Sequence, residues 1–94
     1  MRALSERPTL SGRTRIKYDR FSTRFLLLAP ERGLILNRTA HEVVELCASG
    51  KRSVGQVIDE LHERYPEVDM EKLGREVCEL LDALERRALL RFES

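Results

Sequence analysis

Residues 25–37 read FLLLAPERGLILN, and this stretch decides the fold. Two short apolar runs flank Pro30-Glu31-Arg32-Gly33. Pro presets φ at the first turn position and Gly tolerates a positive φ at the end, so these four residues predict a tight turn between two strands. A hairpin packed on one face needs apolar residues only at alternate positions. Here Phe25, Leu26, Leu27, Leu28, Leu34, Ile35 and Leu36 fill nearly every position, in a chain that is 35% charged. The excess predicts that something covers the second face of the hairpin.

Working outward, residues 13–19 alternate loosely, with Ile16 and Tyr18 on one side, and predict a strand. Residues 23–29 and 34–37 are the strands of the hairpin itself. Residues 1–12 carry Ser5, Pro8, Ser11 and Gly12 without periodicity, so a flexible or extended arm is expected there, with residues 13–94 as the domain. Downstream, Thr39-Ala40-His41-Glu42 has the form of a capping box with Thr39 as the cap. Ala40, Val43, Val44 and Cys47 then fall at helical spacing, and Gly50 ends the segment. Ser53-Val54-Gly55-Gln56 repeats the box ahead of Val54, Val57, Ile58 and Leu61, and Pro66 stops that helix.

Asp69 is the expected cap of a third helix. Met70, Leu73, Val77, Leu80 and Leu84 recur at alternating spacings of three and four, and Cys78 and Leu81 broaden the stripe. This helix is expected to end near Arg87, with residues 89–92 as a short strand or docked tail. Gly74, inside it, costs about 1 kcal/mol relative to Ala. It serves either close helix packing or the approach of another backbone. An N-terminal three-stranded antiparallel sheet followed by three helices makes a small α+β domain.

Composition narrows the function. With 41% hydrophobic residues and a formal net charge of +1, the 94-residue chain suits one folded domain. Residues 1–24 hold seven Arg or Lys against two acids, a net of +5, which leaves −4 for the remainder. This basic arm is read as a solvated tail or as an attractor for an acidic partner. No apolar run approaches the length of a membrane span and no signal peptide is apparent, so the protein is expected to be cytoplasmic. Cys47 and Cys78 lack paired spacing and read as buried small hydrophobes. His41 and His62 stand on separate helices without metal-ligand spacing and read as solvated helix residues. No phosphate loop and no nucleophile–base pattern appears. An enzyme is not expected, nor a metal or cofactor.

The run LLLAPERGLILNRTAHEVVELCASGKRSVGQVIDEL resembles the coenzyme PQQ synthesis protein D (PqqD) family. The motif residues are Pro30, Glu31, Leu36, Asn37, Thr39 and Ala40, followed by Val54, Val57, Ile58 and Leu61 at family spacing. The chain departs from the pattern at Arg32, at Ser49, and at Arg87-Ala88, where the family usually has Gly. The resemblance implies a winged helix-turn-helix-like recognition element for ribosomally made, modified peptides (RiPPs). It also implies a non-catalytic chaperone in pyrroloquinoline quinone biosynthesis. Such a protein binds the precursor peptide PqqA and presents it to the radical-SAM enzyme PqqE. In relatives of this fold the peptide adds as a strand beside the third strand and lies against the third helix. That assigns Gly33, Leu34, Ile35, Leu36 and Asn37 to the edge and Leu73, Val77, Leu81 and Leu84 to the groove. Exchange of the arm or of strands is compatible with a homodimer. The alternatives are a winged-helix DNA reader or another protein-interaction module, and the acidic start of the third helix, Asp69-Met70-Glu71, argues against DNA because phosphates would be repelled there.

Overall fold

The hairpin forms as β3 (Arg24–Ala29) and β4 (Arg32–Leu36), with Leu27 opposite Leu34 and Leu26 opposite Ile35. A computed structural model describes residues 3–93. β2 (Arg15–Asp19) pairs antiparallel with the other side of β3, so the sheet order is β2-β3-β4. Side chains alternate across a strand. Phe25, Leu27, Leu34 and Leu36 therefore face the helices, where Leu27 and Leu36 are buried. Leu26, Leu28 and Ile35 take the opposite face, which carries Arg15 and Lys17 on the neighbouring strand. Among the described residues nothing closes over this second face at Ile35, which is 58% exposed. The cover expected from the sequence is therefore not supplied by the chain's own helices.

Three helices follow, α1 (Arg38–Ala48), α2 (Val54–Arg64) and α3 (Met70–Arg86). Two of the three expected caps stand. Ser53 Oγ accepts from Gln56 N and Gln56 Oε1 accepts from Ser53 N, a complete capping box. Asp69 accepts from Lys72 N. The first cap is Asn37, not Thr39. Asn37 is extended, with φ −74° and ψ 175°, and its Oδ1 accepts from Ala40 N at 2.8 Å. The strand thus passes into the helix with no intervening loop, and Thr39 lies in the first turn.

A second sheet was absent from the sequence reading. β1 (Arg7–Leu10) pairs antiparallel with β5 (Leu90–Glu93), so part of the supposed arm is docked against the tail. Pro8 is buried. Ahead of β1, the carbonyls of Glu6 and Leu4 accept from Val54 N and Gly55 N, two of the donors that open α2. Gly50, at φ +70°, lets the α1–α2 connection pass close to β1. A Cβ there would lie 3.0 Å from Thr9 Oγ1. Short-range periodicity carries no sign of such pairing between the chain's ends.

α3 ends in a Schellman motif. Leu89 N donates to Leu84 O and Ala88 N to Glu85 O, while Leu84 and Leu89 are both buried. The geometry requires a left-handed residue at position 88, and Ala88 sits at φ +59°. A Cβ in that region costs roughly 1–2 kcal/mol. Ala88→Gly is accordingly expected to raise stability by up to about 1 kcal/mol, the greater backbone entropy of unfolded Gly offsetting part of the gain. Chemical denaturation would show it as a higher midpoint at unchanged slope.

The core is contributed by all three helices, Leu27 and Leu36 from the sheet, and Leu89 and Leu90. Both cysteines are buried, and burial pushes the Cys47 thiol up to about 12, leaving it protonated. Gly74 is not a forced close contact. A Cβ there would meet Ile58 Cδ1 at an ordinary 3.6 Å, and the residue borders an open cleft of about 290 Å³ with Leu4, Ile58 and Met70.

Candidate functional site

β4 has β3 on one side and, among the described strands, no partner on the other. Its free backbone groups form an edge that another chain can pair with. No proline interrupts residues 32–37, so every backbone donor on this edge is present. The start of β4 is tied to the end of α3: the Arg32 guanidinium donates to the carbonyl of Arg87, the cap of that helix. Residues three and four apart share a helix face. Leu80, Ala83 and Arg87 therefore form a row leading to that tie, and Leu80 and Ala83 are half-buried. On the strand, Leu34 is also half-buried and packs on the core from the sheet's inner face.

The residues assigned from the sequence separate into two groups. Gly33, Leu34, Ile35 and Asn37 lie on or just beyond the edge strand and reach the surface, whereas Leu36 is buried. Gly33 is exposed yet constrained, since a Cβ would press to 3.3 Å from Leu28 Cδ2. On α3, Leu73 (4% exposed), Val77 (2%), Leu81 (0%) and Leu84 (1%) are all core residues. Their stripe is turned beneath the surface, and the neighbouring Leu80 and Ala83 are half-buried at its margin. Of the motif residues, Pro30 and Glu31 form the exposed turn, Thr39 is exposed, and Ala40 packs on the core.

His41 is not a solvated helix residue. Its ring stacks on Phe25 with centroids 3.5 Å apart and planes 11° from parallel, and its side chain is 14% exposed. Its Nε2 is buried 3.1 Å from Glu45 Oε1, without the alignment of a hydrogen bond. Hydropathy spacing gave no hint of this contact, because Phe25 and His41 belong to different elements. Nearby, Tyr65 Oη donates to Glu42 Oε2 at 2.7 Å. That hydrogen bond to a carboxylate holds the phenol above its ordinary pKa. At the β2–β3 turn, Asp19 is held below the usual carboxylate range, chiefly by the Ser22 hydroxyl.

Among the described residues, no group of three or more His, Cys, Asp or Glu is placed to hold a metal ion. No helix there is long and apolar enough to cross a membrane. The start of α3 is acidic and exposed at Asp69 and Glu71. What the arrangement offers is a strand edge with an apolar margin.

The chain is similar to proteins of known identity. The solution structure of the PqqD truncation of Methylobacterium extorquens PqqCD is described as a functional, stand-alone RiPP recognition element. It superposes with a TM-score of 0.75 at 27% identity, covering 89% of this chain and 87% of that one. A "PqqA binding protein" of Rhodopseudomonas palustris strain TIE-1 is 37% identical over 86 residues, 92% of this chain and 82% of its own. One from Xanthomonas axonopodis pv. citri strain 306 is 35% identical over 92% of this chain and 91% of its own. The family profile "Coenzyme PQQ synthesis protein D (PqqD)" matches residues 24–90, from the first residue of β3 to the first of β5. By sequence and by fold, then, this chain belongs to the PqqD family.

Proposed function

We propose that the chain captures the precursor peptide PqqA as an added strand on β4, with α3 as the second wall. It then presents the peptide to the radical-SAM enzyme PqqE, acting as a chaperone with no catalytic step of its own. The observation that carries this reading is the open, proline-free edge of β4, tied at Arg32 to the end of α3. Strand addition uses main-chain hydrogen bonds for affinity and side-chain pockets for specificity. Each backbone bond contributes roughly 0.5–1.5 kcal/mol net. Each buried aliphatic side chain contributes roughly 1.5–3 kcal/mol. Against them stands an association cost on the order of 4–15 kcal/mol. A few backbone bonds alone cannot offset that cost, so the apolar margin around Leu34 decides the affinity.

Scanning the peptide with backbone N-methyl groups tests the mode without altering the protein. In an antiparallel or parallel ladder only alternate residues of an edge strand face its neighbour. The expected result is a loss of affinity at every second position across a short segment. A flat scan, or losses without that period, would exclude strand addition.

A further inference from the structure

The end of the hairpin away from its turn opens into a cavity of about 530 Å³. Leu36 and the stacked pair of Phe25 and His41 give it an apolar lining. Arg24, from the first position of β3, and Arg38, from the first position of α1, also line it. Every carboxylate placed near them is engaged elsewhere. Asp19 lies opposite Arg24 in the ladder, but its oxygens take the Ser22 hydroxyl at 2.7 Å and the amides of Phe21 and Ser22. Glu42, one turn beyond Arg38, accepts from Tyr65 and lies 3.9 Å from Arg64. Glu45 sits against His41. Among the described residues no carboxylate lies within ion-pair distance of Arg24 or Arg38.

Two arginines at one cavity without a carboxylate partner, beside an apolar lining, suit one ligand chemistry, a carboxylate on a short aliphatic stem. Guanidinium groups bind carboxylates through paired, charge-assisted hydrogen bonds. The position of the cavity says where that carboxylate comes from. Leu36 is the last residue of β4 and Asn37 follows it, and both line the cavity. The β4 strand thus runs toward the cavity at its C-terminal end.

We propose that this cavity is a specificity subsite that takes an acidic side chain of the bound peptide, with Arg24 and Arg38 as its ligands. The proposal rests on the reading of β4 as the peptide-binding edge. It adds a register device: backbone pairing tolerates a slip of two residues, whereas a charge-assisted contact at one end of the strand does not.

The experiment is a titration of the full chain with labelled PqqA, using wild type and the Arg24→Gln/Arg38→Gln double variant. Both arginines are exposed, so the variant keeps its fold, and thermal melting checks this. Loss of charge-assisted bonds should weaken binding about tenfold to hundredfold. Peptides carrying single Glu→Gln or Asp→Asn replacements form a second arm, and a C-terminally amidated peptide forms a third. One side-chain replacement should reproduce the loss on wild type and have no further effect on the double variant. Unchanged affinity of the double variant overturns the proposal. So does a loss reproduced by amidation and by no side-chain replacement, which would assign the arginines to a chain terminus. Failure of the edge reading shows separately, as an N-methyl scan without its two-residue period.

Discussion

Leu34→Asp is expected to weaken PqqA binding by on the order of 100-fold while the domain stays folded. Leu34 is on the inner face of β4, half-buried, between the core and the open edge. A strand added to that edge buries what remains exposed of it. Burial of a Leu side chain stabilises by roughly 1.5–3 kcal/mol, which is about tenfold to 150-fold in affinity. A carboxylate in its place adds a desolvation cost with no partner to offset it. Isothermal titration gives the affinity, and circular dichroism gives the fold. Leu34→Ala serves as a milder companion in case the charge perturbs the sheet. Wild-type affinity in both folded variants would remove Leu34 from the site and with it the proposed groove.

Leu81→Ala is expected to act in the opposite way, with a large loss of stability and no change in peptide affinity of the folded fraction. The sequence assigned Leu81 to the peptide groove. The structure places it at 0% exposure inside the stripe that α3 shares with the rest of the core. Truncating a buried Leu to Ala costs about 2–5 kcal/mol through lost transfer energy and the cavity left behind. A domain of this size has only roughly 5–15 kcal/mol to lose. At about 4–8 °C per kcal/mol, the melting temperature falls by at least about 8 °C. Urea denaturation and a cold titration with peptide separate the two effects. A stable variant with weakened binding would return Leu81 to the site. Asp is unsuitable at this position, because a buried, unpaired carboxylate would unfold the domain before binding could be read.

The contrast between Leu34 and Leu81 shows where sequence reading stops. Spacings of three and four place Leu73, Val77, Leu80, Leu81 and Leu84 on one broad face of α3. They cannot say which part of that face turns under the protein and which part meets the margin beside β4. Local capping chemistry is similarly divided. Ser53 is legible from Gln56 three positions on, and Asp69 from its place just ahead of the stripe that Met70 and Leu73 begin. Asn37 was missed because its backbone had to emerge from a strand already in extended geometry, and only the sheet fixes that.

The sequence by itself determined that a turn opens at Pro30, the alternation that builds β3 and β4, the three helices, the buried cysteines and the family. All of these rest on side chains within a few residues of one another or on motif spacing along the chain. The structure closes that turn at Glu31 and puts Arg32 and Gly33, without positive φ, into β4. Tertiary structure alone decided that residues 7–10 leave the supposed arm to pair with residues 90–93. It also decided that Ile35 stays open on the outer face, that His41 lies flat on Phe25, and that Arg24 and Arg38 line one cavity. These are contacts between elements far apart in the chain. Long-range packing and charge balance set them, and no local periodicity records either.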